Sequence, residues 1–326
     1  MTGTLGPVVP ADPRGADAPR AETVPLRFTM VSKWYGPVIG LSEVSFALQS
    51  GVTGLLGKNG SGKSTLIKLA CGLLEPSLGE VAVFGAAPSR AAALRARIGL
   101  VPDVDRFYED MSPRQFVTRM LRLAGAGAAD ARNRAEQCLV KLGLQDALDR
   151  RIAGFSKGMR QRTKLAQAIA HEPDLLFLDE PLNGLDPLGR SAVMELVREL
   201  GAAGRSVLVS SHVLHEVEAM TQRILLIHQG RLLAEGEVRD IRRQLADRPS
   251  RVRVGCRDPR RVAAMAVGLP AVRACALQAE GVEVTVEHPL AFYQRLTELA
   301  GDPEWGILEV EALDDSLEAV FGYLVK

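Results

Sequence analysis

The strongest chemical pattern in this sequence is a glycine-rich run, Gly57–Ser64, which reads Gly-Lys-Asn-Gly-Ser-Gly-Lys-Ser. It matches G-x-x-x-x-G-K-[ST], in which glycines let backbone N–H groups face phosphate oxygens at the start of a helix. An apolar strand precedes the run and a helical segment follows, which favours a phosphate-binding loop over a chance glycine turn. We expect Lys63 to reach the β- and γ-phosphates of a nucleotide and the Ser64 hydroxyl to coordinate Mg²⁺. The predicted nucleotide contacts here are Gly57, Asn59, Gly60, Ser61, Gly62, Lys63, Ser64 and Thr65.

Two acids follow a short apolar run, Leu175–Leu178, and form a second chemical pattern. A buried strand that ends in carboxylates suits a Mg²⁺ site beside a phosphate-binding loop. We expect Asp179 to serve the metal and Glu180 to polarise the attacking water as a general base. The alternative is an ordinary pair of acids at the end of a strand.

These groups can meet only if a sheet brings several strand ends together, and the chain carries the pattern for one. Short apolar runs alternate with amphipathic segments from Leu26 to His228, which indicates an α/β fold with a parallel sheet covered on both faces. Predicted strands lie at 26–31, 44–48, 52–56, 81–84, 98–101, 175–178, 206–210 and 224–228. Predicted helices lie at 64–72, 113–144 with a break near 124–129, 158–171, 189–200 and 212–220.

The rest of the chain predicts a second, smaller domain. After a predicted linker near Ala246–Ser250, the order strand, helix, strand, strand, helix, strand over 251–312 is a ferredoxin-like α+β arrangement. A final helix is expected at Asp315–Leu324. Residues 1–25 hold five prolines and no apolar core segment, which predicts a disordered tail. The predicted organisation is a tail at 1–25, a nucleotide-binding domain at 26–245 with a helical subdomain at about 104–172, and an accessory domain at 246–326.

Composition narrows the function classes. The 40 basic and 39 acidic residues give a net charge of +1, which argues against a dedicated nucleic-acid binder. No run approaches the roughly 18–20 apolar residues of a membrane-spanning helix, so a membrane role requires a partner chain. The four cysteines form no close pair, which favours a reducing, cytoplasmic setting. The arginine-rich stretch Arg239–Arg261 is interpreted as a solvated face, with lipid headgroups or nucleic acid as lesser options.

A third motif makes a family resemblance plain. The stretch Phe155–Arg162, Phe-Ser-Lys-Gly-Met-Arg-Gln-Arg, resembles the signature loop of ATP-binding-cassette (ABC) ATPases in a form found in exporter subunits. The order of phosphate loop, signature, acid-ended strand, Asn183–Asp186 turn and Ser210–His212 loop is that of the family. Tyr35 lies where the family has an aromatic residue before the phosphate loop. The resemblance covers about residues 26–237.

The resemblance implies a P-loop NTPase cassette with a helical signature subdomain that hydrolyses ATP with Mg²⁺. It implies that Tyr35 stacks on adenine and that His212 hydrogen-bonds the γ-phosphate. Ser156 and Gly158 would contact the γ-phosphate of ATP bound by a second subunit, most simply another copy of this chain. Asp186 would help to couple the two sites.

This sequence also departs from the family pattern. Lys157 and Met159 replace a glycine and the glutamine of the usual signature, although Ser156 and Gly158 are kept. Asp103 stands where the family usually carries a glutamine, and we expect it to contact Mg²⁺ or a water. The alternatives are a plain aromatic at Tyr35, a helix-start residue at His212 and a solvated loop acid at Asp103.

The predicted function is an ATP-binding and ATP-hydrolysing subunit, at the cytoplasmic face of the cell membrane, that powers a separately encoded polytopic permease, with export as the expected direction. The loop after Asp103 carries Phe107, Tyr108 and Met111, which we expect to form a surface for that permease; the alternative is that they pack under the next helix. One rival function is a soluble ABC ATPase that regulates ribosomes or DNA transactions. The other is a P-loop kinase or GTPase, which gives the signature loop and His212 no role.

Overall fold

The computed structural model describes residues 24–245, 250–287, 289–302 and 304–313. Residues 1–23 of the predicted tail, residues 246–249 of the predicted linker and the predicted final helix Asp315–Leu324 lie outside these ranges. The domain division near residue 245 stays a prediction. Within the described ranges, no helix combines the length and the apolar character needed to cross a bilayer.

Two sheets form the first part of the structure. Six strands lie side by side in a largely parallel sheet, and three form an antiparallel sheet. The strands are β1 (Leu26–Tyr35), β2 (Val38–Leu48), β3 (Gly51–Leu56), β4 (Leu78–Val83), β5 (Ile98–Val101), β6 (Leu175–Asp179), β7 (Ser206–Ser211), β8 (Arg223–His228) and β9 (Arg231–Glu237).

The larger sheet has the order β5-β6-β7-β3-β8-β9, and only β9 runs antiparallel to its neighbour. All residues of β6 and β7 are buried, which agrees with the apolar runs Leu175–Leu178 and Val207–Val209 at their centres. In register, Asp179 lies beside Ser210, and Ser211 lies beside Leu56 at the end of β3. The carboxyl ends of β3, β6 and β7 therefore meet at one edge, as the predicted α/β fold requires.

The antiparallel sheet has the order β2-β1-β4 and extends further than the sequence predicts. The β1–β2 hairpin continues to the pair Tyr35 and Val38, whereas the predicted strand ends at Val31. The half-exposed β9 is absent from the prediction, because Arg231–Glu237 mixes apolar, charged and glycine residues without a clear alternation.

Helices cover the sheet and build the predicted helical region between β5 and β6. Ser112 caps the helix α2 (Pro113–Leu123), and its side chain accepts a hydrogen bond from the Gln115 N–H in a capping box. The buried Leu139 and Leu165 join the core cluster that continues into β6. The helices are α1 (Lys63–Ala70), α2 (Pro113–Leu123), α3 (Ala128–Lys141), α4 (Lys157–Ile169), α5 (Pro187–Ala202), α6 (Leu214–Glu218) and α7 (Val238–Leu245).

The second part of the structure has the predicted ferredoxin-like order. Its antiparallel sheet runs β11-β12-β10-β13. Valines alternate inward along the central strands and pack with Phe292 in one core. Two arginines of the predicted solvated face, Arg251 and Arg253, make ion pairs with Glu283 and Glu311. The elements are β10 (Ser250–Cys256), α8 (Pro259–Val267), β11 (Val272–Gln278), β12 (Gly281–Val286), α9 (Pro289–Ala300) and β13 (Ile307–Ala312).

Candidate functional site

The phosphate-binding loop connects β3 to α1, and its backbone carbonyl groups hold the Lys63 side chain. The Lys63 ammonium donates to the Gly57 carbonyl oxygen at 2.6 Å and to the Lys58 carbonyl oxygen at 3.3 Å. Its side chain is only 6 % exposed, so its charge faces the loop rather than bulk solvent. The first N–H groups of α1 have no intrahelical acceptors, and they supply further donors for an anion at this point.

Two glycines of the loop have no room for a side chain. Gly62 has a φ of 114°, and an added Cβ would lie 2.7 Å from the Gly40 carbonyl oxygen. A Cβ at Gly57 would lie 2.5 Å from the Ile227 carbonyl oxygen and 2.4 Å from Ser61 Oγ. The close approach of neighbouring backbone therefore explains the glycines of the motif.

Glu180 follows β6 in a left-handed backbone conformation, with a φ of 50°, which is unusual for a residue that is not glycine. Its backbone N–H donates to Ser210 Oγ at 3.0 Å, and the same hydroxyl donates to Asp179 Oδ1 at 2.7 Å. Ser210 is fully buried and thereby fixes both acids of the motif. This turn directs the Glu180 side chain back toward the phosphate loop, where Oε1 lies 3.2 Å from Lys63 Nζ.

His212 meets Glu180 from the neighbouring strand end. Its Nδ1 lies 2.9 Å from Glu180 Oε2, and its side chain is 41 % exposed. Lys63 and His212 therefore contact the two different oxygens of one carboxylate. Of the residues predicted as catalytic, the structure brings all three together.

A cleft of about 390 Å³ opens beside this triad. Tyr35 stands at the cleft, and its hydroxyl lies 3.3 Å from Thr65 Oγ1. A Cβ at Gly40 would lie 2.8 Å from the Tyr35 ring, so Gly40 makes room for the aromatic side chain. The cleft is lined by Tyr35, Val38, Ile39, Gly40, Asn59, Gly60, Gly62, Lys63, Ser64, Thr65, Asp103 and Glu180.

The oxygen donors around the cleft suit Mg²⁺. Ser64 and Asp103 line the cleft. The buried Asp179 precedes Glu180 in the chain and accepts a hydrogen bond from the Ser210 hydroxyl. Across the described part of the chain, no group of three or more His, Cys, Asp or Glu side chains could hold a metal ion by itself. The fit is therefore to a metal that takes further oxygen ligands from a bound phosphate.

The loop that carries Asp103 is fastened to α4. The nearly buried Lys164 ammonium donates to the carbonyl oxygens of Pro102 at 2.9 Å and Asp103 at 3.2 Å. It also lies 2.8 Å from Asp105 Oδ1, while Arg160 Nε donates to Asp105 Oδ2 at 2.8 Å. Burial alone would raise the pKa of the Asp105 carboxyl, but the two cations outweigh it and lower that pKa below its ordinary value.

The signature residues lie apart from the cleft. Ser156 caps α4, where its Oγ accepts from the Met159 N–H at 3.2 Å. A Cβ at Gly158 would lie 3.2 Å from the Gly184 carbonyl oxygen, so the signature packs on the turn after Glu180. The exposed Asp186 occupies the position before the first turn of α5. Ser156, Gly158 and Asp186 are thus outside the set that lines the cleft in a single chain.

Of the two aromatic side chains in the expected permease surface after Asp103, one is exposed and the other is not, and the surface itself stays a prediction. Phe107 is half-buried against Phe116, with ring centroids 5.1 Å apart, and Arg160 lies over its other side. Met111 also packs against the same core cluster. Tyr108 is 62 % exposed. The packing of Phe107 and Met111 under α2 is the alternative that the sequence left open.

From the sequence, Ser210 stands out only as part of the Ser210–His212 loop, with no role of its own, and Gly40 is not singled out. Ser210 orients both acids, and the signal was a hydroxyl at the end of an apolar strand beside the acid-ended one. Gly40 leaves room for the Tyr35 ring, but no sequence motif within Val38–Leu41 predicts that contact.

Known proteins resemble this chain in sequence over its first part. The ABC transporter family matches residues 41–183. The Nod factor export ATP-binding protein I of Burkholderia orbicola is 37 % identical over 214 residues, which cover 65 % of this chain and 70 % of that protein. The ABC transporter ATP-binding protein NatA of Bacillus subtilis is 33 % identical over 207 residues, which cover 63 % and 84 % respectively.

Solved structures show the same architecture. An ATP-binding subunit of an ABC transporter superposes with a TM-score of 0.62 at 32 % identity and covers 68 % of this chain and 92 % of its own. The dimeric bacterial ABC transporter cassette MJ0796 has a TM-score of 0.62 at 24 % identity, covers 65 % and 98 %, and supports the fold alone.

Proposed function

Since this chain belongs to the ABC transporter family of ATP-binding ATPases, we propose that it powers a separately encoded membrane permease by hydrolysing ATP at the Lys63–Glu180–His212 cleft. The main support for this proposal is that one carboxylate, Glu180, contacts both the phosphate-loop lysine at 3.2 Å and His212 at 2.9 Å. A base held between a phosphate-binding cation and an imidazole is placed to activate water against a terminal phosphate.

The chemistry follows from these positions. Lys63 and the loop N–H groups bind the β- and γ-phosphates of ATP. The aromatic ring of Tyr35 offers a face on which the adenine ring can stack. A phosphate that draws Lys63 toward itself leaves Glu180 Oε1 available to accept a proton from water. The water oxygen then bonds to the γ-phosphorus as the bond to the bridging oxygen breaks, which yields ADP and phosphate. Mg²⁺ held by Ser64, Asp179 and Asp103 would offset charge on the phosphate oxygens.

The proposed site is completed by a second copy of this chain. Ser156 stands at the N-terminus of the 13-residue helix α4, where a hydroxyl and free N–H groups suit an anion. Because Ser156 and Gly158 are not part of their own chain's cleft, they are available to the γ-phosphate of a partner. ATP then acts as the bridge of a homodimer, with Asp186 beside the contact.

The proposed partner is a polytopic permease, which places this subunit at the cytoplasmic face of the membrane. Support comes from the names of the relatives, which are an export ATP-binding protein and a transporter ATP-binding protein. The exposed Tyr108, on the loop after Asp103, is the proposed contact. Export is the proposed direction.

The test is Glu180→Gln, which keeps the size of the side chain and removes the base. We expect ATP binding to persist while hydrolysis slows by on the order of 10²–10⁴-fold. A dimer stable on size exclusion should form with Mg-ATP, since the ATP bridge is not consumed. Glu195→Gln, an exposed acid on α5, is the matched control and should behave like the unmodified chain.

Two outcomes would contradict the proposal. Normal turnover by the Glu180→Gln chain removes Glu180 as the base. Normal ATP affinity and turnover in Lys63→Ala removes the nucleotide site itself, because that change deletes the cation that holds the phosphates. Purification of the subunit together with a membrane protein of several spans tests the transporter assignment against a ribosomal or DNA role.

A further inference from the structure

A second buried carboxylate lies next to the catalytic strand end and has no part in the chemistry above. Glu216 lies on α6 and is 7 % exposed. Its Oε1 lies 2.8 Å from the Arg190 guanidinium, and its Oε2 accepts from Ser211 Oγ at 3.0 Å. Both carboxylate oxygens are therefore engaged, one by a cation and one by a hydroxyl.

The Ser211 side of this contact controls the backbone at His212. Ser211 is 3 % exposed, and its Oγ also accepts from the Val213 N–H at 3.0 Å. The hydroxyl thus joins the residues on either side of His212 to one fixed carboxylate. These contacts hold the backbone at His212, and that backbone sets the point from which the half-exposed imidazole reaches Glu180 Oε2.

The Arg190 side reaches the turn against which the signature packs. Arg190 lies in the first turn of α5, and its Nε donates to the Leu185 carbonyl oxygen at 3.3 Å. Leu185 is also the neighbour of Gly158, since a Cβ at Gly158 would lie 3.7 Å from Leu185 Cδ2. A single guanidinium therefore contacts both the turn on which the signature packs and the Glu216 carboxylate.

We propose that the Glu216–Arg190 pair is a positioning device that ties the orientation of His212 to the turn carrying Leu185 and, through it, to the signature loop of the same chain. This inference rests on the proposed function, because it takes Glu180 and His212 as the hydrolytic pair. Glu216 and Arg190 touch no phosphate; they act through Ser211 and Leu185.

A purely stabilising ion pair would give a different result. Glu216 is buried but the Arg190 side chain is 43 % exposed, and an ion pair with one solvated partner adds little net stability. Here the pair is joined by hydrogen bonds to a catalytic loop on one side and to the signature contact on the other. The discriminating measurement is a loss of turnover without a loss of ATP affinity, which a general weakening of the fold would not produce.

The experiment measures kcat, ATP Kd and thermal melting of the full chain as Glu216→Gln, Arg190→Met and the double variant. We expect kcat to fall about tenfold in Glu216→Gln, the effect of one lost charge-assisted hydrogen bond, with ATP Kd within about twofold. The double variant should be no slower than the slower single variant, because both changes break one connection. Glu199→Gln is the control: this half-exposed acid lies on α5, as Arg190 does, and pairs with Lys141 of α3, so the change should leave kcat unchanged.

Ser211→Ala examines the same connection with a smaller change and remains informative if Glu216→Gln does not fold. It should also lower kcat and spare ATP Kd. The proposal is overturned if Ser211→Ala turns over at the normal rate, if kcat and ATP affinity fall together, or if the Glu216 and Arg190 effects multiply. An active Glu216→Gln beside an inactive Glu180→Gln overturns only this inference, whereas an active Glu180→Gln overturns the proposed function.

Discussion

Lys164→Met is the sharpest test of how the Asp103 loop is held. The Lys164 side chain is 5 % exposed, and its ammonium makes a 2.8 Å contact with Asp105 as well as hydrogen bonds to two backbone carbonyls. Methionine keeps most of the volume of the stem and removes every one of these donors. The Asp105 carboxylate stays paired with Arg160 at 2.8 Å, so the change leaves no isolated buried charge.

The expected loss of stability comes from the two carbonyls and from the pair itself. A buried acceptor without a partner costs about 1–3 kcal/mol, and a hydrogen bond to a charged group contributes about 1.5–3 kcal/mol. Asp103 lies on an exposed loop where water can replace one donor, and the desolvation cost of the ammonium is recovered. We expect a net loss of about 2–3 kcal/mol, which corresponds to a fall in Tm of roughly 5–10 °C for a domain of this size.

Thermal unfolding followed by circular dichroism measures this loss, and Lys141→Met is the matched control. The Lys141 ammonium also lies 2.8 Å from a carboxylate, that of Glu199, but both side chains are about half exposed. A surface pair of this kind contributes about 0–1 kcal/mol. Equal melting of the two variants would refute the reasoning, because burial and the backbone contacts would then contribute nothing. The ATPase of Lys164→Met should also require more Mg²⁺, since Asp103 loses its backbone anchor.

Two further predictions concern single side chains. Tyr108→Ala should leave Tm and basal ATPase unchanged and lower permease-stimulated ATPase, whereas Phe107→Ala should lower Tm because it removes a ring packed on Phe116; the opposite pattern in these assays would exchange their roles. Burial lowers the pKa of His171, although its Nε2 hydrogen-bonds the Ile98 carbonyl oxygen at 2.9 Å. The unfolded chain therefore binds more protons, and the free energy of unfolding should fall as the pH drops below about 6.5. His171→Gln should flatten that dependence in urea unfolding at a series of pH values, and an unchanged slope would exclude His171 as its source.

The phosphate loop and the acid-ended strand could be predicted because consecutive residues supply all the groups that each motif needs. Gly57–Ser64 needs only its own spacing to define an anion site, and Leu175–Leu178 is apolar enough to be recognised as a buried strand. The meeting of Lys63 with Glu180, 117 positions later in the chain, followed from the parallel sheet that the alternating pattern predicts.

Contacts that depend on packing could not be predicted in the same way. Ser210 and Glu216 act through partners on other elements; Ser210 at least ends an apolar strand, whereas no local pattern distinguishes Glu216 from other acids on a helix. The charged neighbours of Phe107 favour a surface position, with packing under the next helix as the alternative, and in the structure Phe116 and Arg160 from two helices contact its ring. Sequence spacing shows which residues are near one another along the chain. Burial depends on which distant elements of the chain pack against a residue, and local spacing does not show this.

The signature helix α4 is fastened to the cleft on two sides, and this bears on how a hydrolytic cycle could move it. Lys164 ties it to the backbone at Asp103, while the buried Gln161 amide donates to the Pro181 carbonyl oxygen at 2.9 Å, next to Glu180. Buried polar contacts of this kind have discrete arrangements rather than a continuous range. We therefore expect a change at either Asp103 or Glu180 to be transmitted to α4 as a whole, together with Ser156, which caps it.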